Sequence, residues 1–346
     1  MEIKRLLYAP SIHQGGGKTL LTSLINRLEG DNNDVLFVLD IRLGLPSKAL
    51  RGKQVFWVKP TVTSRLWLEL KLSQFISKDT LVLCMGNLPP LFVKCGIQRV
   101  FVQNRYLVEN ISLSSFSFKS RVRITFERWW LRTRATGVGS FIVQTPTMQR
   151  LIKDAFGAEA RILPFLSVNM QGGLFPSGES QQKKYNFVYI ASGEGHKNHK
   201  TLIYAWIALA KESIFPSLCL TLDEKQFPVL CRWIMLQIKS YGLKVSLIGE
   251  CSHDKIYEIY RQSEALIYPS LFESFGLPLI EAAMLGLPVA ASDKPYVTDV
   301  ITPSAVFDPN SIQDIVNTVR YFNYAPSFVS VELLEAKQFL EYTFIQ

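Results

Sequence analysis

The chain has 346 residues, of which 48% are hydrophobic and 19% are charged, with 20 Gly, 17 Pro and 5 Cys. This composition excludes a disordered chain, a collagen-like chain and a simple coiled coil, and the length suits about two domains. Apolar runs such as VLFVL at 35–39 are far shorter than the roughly 18 residues of a membrane-spanning helix, and the first residues hold only a short apolar stretch. We therefore expect a cytoplasmic protein whose contact with the inner face of the cell membrane is peripheral.

The formal net charge of +9 is distributed unevenly. Residues 1–170 contain 24 Lys and Arg against 11 Asp and Glu, whereas residues 171–346 contain 14 against 18. A basic half beside a mildly acidic half indicates that one domain faces an anionic partner. Nucleic acid, anionic lipid and phosphorylated substrates are all compatible with this charge alone.

Strands and helices alternate along both halves of the chain. In the first half we predict a Gly-rich turn at 15–17, helices over 19–28 and from 145, and strands at 4–9, 34–40, 80–84, 99–103 and 140–144. In the second half we predict helices at 201–211, 229–241, 254–263 and 277–285, and strands at 185–191, 217–222, 245–248, 265–268 and 288–291. Short apolar runs separated by helices predict parallel, doubly wound sheets.

The stretch between these halves is rich in Gly, Ser, Gln and Pro and has little periodicity, which is typical of a linker. The sequence thus predicts an α/β protein with two doubly wound Rossmann-like domains facing each other across a cleft, where ligands usually bind. The expected N-terminal, acceptor-side domain is 1–167, the linker is 168–184, and the C-terminal domain is 185–346. The last helix of the chain is a candidate to pack back on the N-terminal domain.

The strongest site signal lies in ALIYPSLFESFGLPLIEAAMLGLPVAASD at 265–293. A strand ends before a loop, Gly276 and Pro278 open a helix, and the backbone amides at this helix start can hold an anion such as a diphosphate. Glu273 precedes the helix and Glu281 lies about one turn inside it. Since a carboxylate beside an anion site repels phosphate, these two groups are expected to bind sugar or ribose hydroxyls. The alternatives are a carboxylate that complements the helix dipole for Glu273 and a solvated helix face for Glu281.

This segment resembles the signature of glycosyltransferase family 4, the retaining, two-Rossmann, B-type glycosyltransferases. The hallmark is two glutamates with seven residues between them, here E-SFGLPLI-E. Flanking text and HKNHKTLIYAW at 196–206 extend the resemblance across roughly 185–310, and it is weaker in the N-terminal half.

The resemblance implies roles for individual residues. Glu273 would contact the donor sugar, Glu281 would hold the nucleotide ribose, and Lys197 would neutralise the donor diphosphate and stabilise the departing nucleotide. Glu273 and Lys197 are therefore the candidate catalytic residues. The remaining candidates for donor binding are Ser274, Phe275, Gly276 and Leu277.

Two positions depart from the family pattern. The family often has an Arg five residues before the Lys, where this chain has Ser192, so a second cation such as Lys18 or Arg105 would have to help Lys197. Many relatives also have a His after the N-terminal strand that here reads VFVQNRYLV. Asn104 and Arg105 occupy that neighbourhood and are the acceptor-side candidates.

The turn HQGGGKT at 13–19 follows a strand and opens a helix. It is similar to a phosphate loop, but Ile12 stands where that pattern needs Gly. A nucleotide hydrolase with Asp40 as its acidic group is therefore one alternative, and a purely structural turn is another. In a transferase, Gly16 and Gly17 would approach the donor phosphate closely.

The stretch FSFKSRVRITFERWWLRTR at 116–134 combines six Lys and Arg with Phe and Trp. Such a segment suits an anionic membrane surface, with aromatic rings at headgroup level and basic residues on phosphates. The resemblance agrees, because many family members use a basic N-terminal surface to reach lipid-linked acceptors. A basic nucleic-acid-binding module and a helix packed in the core are the alternatives.

We expect a retaining glycosyltransferase that moves a sugar from a nucleotide-diphospho-sugar to a glycan, as a lipid-linked acceptor, in bacterial surface polysaccharide or lipopolysaccharide O-antigen assembly. This setting rests on the resemblance and on the basic N-terminal half. The chain contains no D-x-D motif, which fits metal-independent chemistry with no cofactor and no metal ligands. The expected partners are the nucleotide sugar, the acceptor and an anionic membrane surface, and no nucleic acid.

Overall fold

The structure is a computed structural model that describes residues 3–28, 35–45, 50, 52–93, 95–113, 116–166 and 182–345. The chain divides into two units, one formed by Met1–Phe175 with Glu332–Gln346 and the other by Pro176–Val331. We call them the first and second units. The predicted linker 168–184 lies outside the described residues except for its last three positions.

The first unit is built on a seven-stranded sheet in which all neighbouring strands run parallel. Its spatial order is β3-β2-β1-β4-β5-β6-β7. The strands are β1 (Arg5–Ala9), β2 (Val35–Asp40), β3 (Gln54–Val58), β4 (Leu81–Cys84), β5 (Ile97–Phe101), β6 (Ser140–Val143) and β7 (Ala160–Ile162). The helices are α1 (Gly15–Leu28), α2 (Val62–Leu72), α3 (Phe118–Arg134), α4 (Pro146–Phe156) and, from the end of the chain, α11 (Ala336–Leu340).

Both faces of this sheet are buried, as expected for a parallel sheet covered by helices. Leu6 and Tyr8 of β1 contribute to the core on one face, whereas Leu7 and Ala9 contribute to the core on the other. The C-terminal segment joins the second of these cores, where the ring of Phe339 packs between Phe101 and Phe165.

The second unit holds a six-stranded parallel sheet in the order β10-β9-β8-β11-β12-β14 and a small antiparallel pair, β13-β15. The strands are β8 (Tyr185–Tyr189), β9 (Leu218–Leu220), β10 (Val245–Leu247), β11 (Ser263–Tyr268), β12 (Val289–Ser292), β13 (Ile301–Thr302), β14 (Ala305–Phe307) and β15 (Phe328–Val329). The helices are α5 (His199–Lys211), α6 (Pro228–Tyr241), α7 (His253–Arg261), α8 (Leu277–Met284), α9 (Pro295–Thr298) and α10 (Ile312–Arg320).

The strand order reverses once in each sheet, between β1 and β4 in the first unit and between β8 and β11 in the second. In doubly wound sheets the loops at the carboxyl ends of the strands beside this reversal spread apart and form the usual ligand-binding position. In the second unit this position is formed by the loops that follow β8 and β11, which carry Lys197 and Glu273.

Candidate functional site

Lys197 and Glu273 form an ion pair in the second unit. The ammonium Nζ of Lys197 donates to Glu273 Oε1 at 2.6 Å, and both side chains are largely buried. The hydroxyl of Tyr268, the last residue of β11, donates to the same oxygen at 3.0 Å. Burial, and then the charge of Glu273, raise the pKa of Tyr268 well above its usual value, so this phenol stays protonated and keeps donating. The two candidate catalytic side chains are thus brought together by the folding of the second unit.

The two loops that carry this pair are fastened to each other. The hydroxyl of Tyr189 at the end of β8 donates to the carbonyl oxygen of Lys197 at 2.8 Å, and lies 2.9 Å from the hydroxyl of Ser270. The amide of Leu271 donates to the carbonyl of His196 at 2.8 Å. These bonds fix the backbone on both sides of the ion pair, which is the kind of preorganisation that a binding site needs.

Asn198, the residue after Lys197, connects the same loop to neighbouring segments of the second unit. Its backbone is left-handed, with φ of 61°, and it begins α5. Its side-chain nitrogen donates to the carbonyls of Pro269 and Pro309, and its side-chain oxygen accepts from Thr201 at 2.7 Å. Asn tolerates the left-handed region better than most residues and supplies both donors and an acceptor, which explains the residue type here.

The turn before α8 has the geometry predicted from the sequence. Gly276 has φ of +73°, and a Cβ there would lie 3.0 Å from Leu279 Cδ1, so only Gly fits without strain. Helix α8 begins at Leu277 with Pro278 in its first turn and has no side-chain cap. The positive end of a helix therefore lies next to the loop that carries Glu273, Ser274 and Phe275.

Glu281 is almost fully buried, which excludes the solvated helix face. The hydroxyl of Tyr260 donates to its Oε2 at 2.9 Å, and His253 Nε2 lies 3.9 Å from its Oε1. Burial raises the pKa of Glu281 above its usual value, although the bond from Tyr260 and the nearby His253 act in the opposite direction. A buried carboxyl group whose pKa is shifted by loss of solvation is typical of functional sites.

A comparison with known protein families matches the part of the chain that holds these residues. Residues 174–324 match the model of the family described as "Glycosyl transferases group 1". This range contains Lys197, Glu273 and Glu281.

Two curated relatives are bacterial mannosyltransferases. The chain is 29% identical over 175 residues to the serotype-specific mannosyltransferase WbdA of Escherichia coli, covering 47% of this chain and 20% of that protein. It is 32% identical over 154 residues to the O-antigen chain mannosyltransferase RfbU of Salmonella typhimurium, covering 44% of this chain and 42% of that protein. The chain therefore spans less than half the length of either relative.

A solved structure extends the likeness to both units. HepE of Anabaena, crystallised with UDP and glucose, aligns with 91% of this chain and 89% of its own at a TM-score of 0.61 and 15% identity. The architecture is thus the two-Rossmann-like, B-type glycosyltransferase fold, as predicted. The family match covers residues 174–324, which is less than half of the chain.

The remaining sequence-predicted residues lie in the first unit. Gly16 and Gly17 form the first turn of α1, which begins at Gly15, earlier than the predicted helix start at 19. A Cβ on Gly17 would lie 3.8 Å from Gln103 Oε1, in ordinary contact. Packing alone therefore does not require Gly at position 17.

Asn104 and Arg105 are held by their own loop. The side-chain oxygen of Asn104 accepts from the amide of Tyr106 at 3.1 Å and caps a short 3-10 helix. Arg105 pairs with the carboxylate of Glu109. A role for Arg105 as the second cation for a diphosphate would require it to give up or share this partner.

The hydrolase alternative is not supported by the structure or the comparisons. The carboxylate of Asp40 is buried and accepts from the amide, Nε and Nη2 of Arg42 at 2.9, 2.9 and 2.6 Å. It therefore caps the turn after β2. Among the described residues, no group of three or more His, Cys, Asp and Glu side chains is placed to hold a metal ion.

Residues 116–134 largely form helix α3, and its two adjacent Trp residues differ in burial. Trp130 is buried and its Nε1 donates to the carbonyl of Pro89, whereas Trp129 is 53% exposed. The packed-helix alternative is thus correct for Trp130 and wrong for Trp129. No helix in the described part of the chain is long and apolar enough to cross a membrane.

The sequence pointed to the acidic residues but not to the phenols beside them. Tyr260 and Tyr268 each donate to one of the two glutamates. Tyr268 ends the apolar strand β11, and Tyr260 lies on the buried face of the mostly polar helix α7. Both positions also fit the core, and only the tertiary pairing shows where each hydroxyl is directed. The sequence did contain one signal for Tyr268, which is its position at the carboxyl end of a strand beside the switch point.

Proposed function

We propose that this protein is a retaining, family 4-like glycosyltransferase that moves a sugar from a nucleotide-diphospho-sugar to a glycan acceptor. The observation that carries the proposal is the arrangement in the second unit. There, Lys197 follows β8 and pairs with Glu273, which follows the neighbouring strand β11. The left-handed turn at Gly276 and the buried Glu281 come next in the chain after Glu273. The family match over 174–324 supports it.

Lys197 acts on the leaving group. An ammonium has three donors, and among the described residues Glu273 is the side chain that accepts from Lys197. The other donors can bind diphosphate oxygens, whose charge grows as the bond to the sugar breaks, so a fixed cation lowers the barrier. The amides at the start of α8 add positive potential for the same group. Glu273 holds Lys197 in place and accepts hydrogen bonds from the sugar hydroxyls.

Glu281 recognises the ribose. A carboxylate accepts hydrogen bonds from two neighbouring hydroxyls, and Tyr260 fixes the orientation of the Glu281 side chain. The chemistry needs no cofactor, and we propose that it needs no divalent metal, since the cationic and helix-terminal groups already complement the diphosphate. Gly16 and Gly17 remain candidates for close approach of the donor phosphate.

We propose bacterial surface polysaccharide or lipopolysaccharide O-antigen assembly as the setting. RfbU is named an O-antigen chain mannosyltransferase and WbdA a serotype-specific mannosyltransferase, and HepE was crystallised with UDP and glucose. We further propose a cytoplasmic protein that contacts an anionic membrane surface through 116–134, where a lipid-linked acceptor would be found.

Helix α3 supports the membrane contact with an apolar stripe and exposed cations. The stripe consists of Phe118, Val122, Phe126 and Trp129, all about half exposed or more. The exposed basic residues of the helix are Lys119, Arg121, Arg123 and Arg132. The other two basic residues, Arg128 and Arg134, donate to backbone carbonyls and belong to the fold. Exposed aromatic rings flanked by cations complement an anionic lipid surface.

The experiment that tests the donor site is a thermal-shift panel of UDP, GDP, ADP and dTDP. One of these should raise the melting temperature, because a ligand present at about 100 times its Kd adds about 2.7 kcal/mol to stability. Glu281→Gln should abolish this shift, since the amide cannot accept from both ribose hydroxyls as the carboxylate does.

Glu258→Gln is the matched control. Glu258 is an exposed glutamate of α7 in the same unit and pairs with Lys255. This variant should keep the full shift. If no nucleoside diphosphate stabilised the protein, or if both variants lost the shift equally, the proposed donor site would be wrong.

A further inference from the structure

A cavity of about 450 Å³ opens in the first unit, at the carboxyl ends of β1 to β4. Its walls come from the residues after these strands, from the start of α2 and from α3. The size is within the range of small-molecule sites, and the position beside the switch between β1 and β4 is where doubly wound sheets bind ligands. None of the residues considered so far as donor or acceptor candidates lines it.

The cavity has an excess of unneutralised positive charge. Asp40 pairs with the guanidinium of Arg42, whereas the two groups that donate to Glu69, the hydroxyl of Tyr8 and the amide of Phe92, are uncharged. Apart from the Asp40–Arg42 pair, the lining holds three cations, Lys59, Arg65 and Arg123, against two carboxylates, Glu69 and Glu127, which leaves one formal positive charge in excess. An anionic group is therefore the complementary ligand.

The guanidinium of Arg65 is fixed in orientation by two contacts. Its Nη1 donates to the hydroxyl of Ser11 at 2.6 Å, and its guanidinium carbon lies 4.9 Å from the centroid of the Trp130 ring. Its Nε is buried and has no hydrogen-bond partner among the described residues. This nitrogen has no accessible surface, so a ligand in the cavity would be bound by the other guanidinium donors, whose fixed plane suits a phosphate.

The rest of the lining is apolar and aromatic. Phe126 and Phe92 are half exposed at the cavity, and Trp130 forms part of its wall. Aromatic faces pack against the apolar faces of sugar rings, while Glu127 lies within electrostatic range of Arg65 and Arg123 and can accept from sugar hydroxyls. A phosphate alone would leave this apolar part unused.

We propose that this cavity binds a phosphorylated saccharide, with Arg65 and Arg123 on the phosphate and the aromatic side chains against the sugar. That this ligand is the acceptor rests on the proposed transferase function. Binding itself does not depend on it, because the cavity and the donor-site residues lie in different units. The phosphate ester can belong to a soluble sugar phosphate or to the headgroup of a lipid carrier.

The test is isothermal titration of the full chain with mannose 1-phosphate and N-acetylglucosamine 1-phosphate, using the unphosphorylated sugars as controls. At least one sugar phosphate should bind in the millimolar range or better, and its parent sugar should bind much more weakly. Arg123→Gln should weaken this binding by at least about tenfold, the effect of losing one charge-assisted hydrogen bond. Arg161→Gln removes the same charge from an exposed position of β7 outside the cavity and should have little effect.

A second variant separates the cavity from the donor site. Binding of the sugar phosphate should persist in Glu281→Gln, and nucleotide binding should persist in Arg123→Gln. Sugar-phosphate binding that was lost in Glu281→Gln but kept in Arg123→Gln would place the ligand in the second unit and overturn the proposal, as would the absence of binding by either sugar phosphate. Nucleotide binding that failed while sugar phosphate still bound would overturn the transferase function alone.

Geranyl phosphate distinguishes the two sources of the phosphate. If it displaces the sugar phosphate, the cavity recognises the phosphate of a lipid carrier. If it does not, the ligand is a soluble phosphorylated saccharide. Displacement by geraniol, which has no phosphate, would contradict the proposal.

Discussion

His199 lies at the start of α5, one residue after Asn198, and both of its ring nitrogens are buried without a hydrogen-bond partner among the described residues. Burial, and then the charges of Lys197 and His196, lower its pKa to about 3. Its ring packs 4.9 Å from that of Tyr189, which fastens the loop of the site. A neutral histidine at this position therefore supports the loop that carries Lys197.

This pKa gives the protein a defined sensitivity to acid. Below the unfolded value of 6.5 the unfolded chain binds a proton at His199 that the folded chain does not, so stability is lost as pH falls through this window toward about 3. The loss is about 1.4 kcal/mol per pH unit, or about 2 kcal/mol at pH 5. Glu281, whose pKa is raised, acts in the opposite direction above its unfolded value of 4.5.

His199→Phe should keep the ring packing and remove this dependence. Urea denaturation between pH 7 and pH 4 should show a flatter stability profile than that of the original protein, while Glu281 contributes equally to both. Parallel profiles for His199→Phe and the original protein would contradict this assignment.

The sequence was sufficient to single out Lys197, Glu273 and Glu281 as a set, and the structure brings the first two into contact and buries the third. It did not identify Tyr260 or Tyr268, because burial on a helix face or at a strand end does not show where a hydroxyl points. Nor did it point to the cavity in the first unit. That cavity joins residues from four strand ends and two helices, and no short motif contains them.

At the scale of elements, the alternation of short apolar runs and helices predicted most of the strands to within a few residues. The predicted strand 99–103 is observed at Ile97–Phe101, and the predicted helix 229–241 at Pro228–Tyr241. The prediction missed β3 and α2, because QVFWV and the helix after it mix exposed and half-buried apolar residues and show no clear period. In α3, neighbouring residues point about 100° apart, so composition could not show which of Trp129 and Trp130 is buried.

Arg128 of α3 should contribute more to stability than its exposed neighbours. Its Nε donates to the carbonyl of Tyr106 at 2.6 Å, and its Nη2 donates to those of Glu109 and Ile111 at 3.0 and 3.1 Å. Arg128→Gln removes three charge-assisted hydrogen bonds to these backbone carbonyls and should lower the free energy of unfolding by about 2 kcal/mol.

Arg121→Gln on the same helix is the control, since Arg121 is exposed, and it should stay within about 0.5 kcal/mol of the original protein. Urea denaturation of the full chain measures both variants. Equal stability of the two would show that the three carbonyl contacts of Arg128 contribute nothing to the fold.

At the scale of the whole molecule, charge is distributed unevenly along the chain. The basic residues concentrate in the first half, and in α3 the exposed ones lie beside the apolar stripe. The second unit carries the donor-site candidates and has a mildly acidic sequence. If the proposed membrane contact is correct, attraction to anionic lipid should come from the first unit alone.

Sedimentation with vesicles tests this division. The protein should bind vesicles rich in phosphatidylglycerol, bind neutral phosphatidylcholine vesicles weakly, and lose affinity as salt rises. The double variant Lys119→Gln with Arg121→Gln should bind about thirtyfold more weakly, since each basic residue near an anionic surface contributes about 1 kcal/mol. Lys225→Gln with Lys239→Gln removes the same charge from exposed positions of the second unit and should bind as the original protein does. A similar loss in both double variants would indicate a response to net charge alone, and strong binding to neutral vesicles would show that the cations of α3 are not what the membrane recognises.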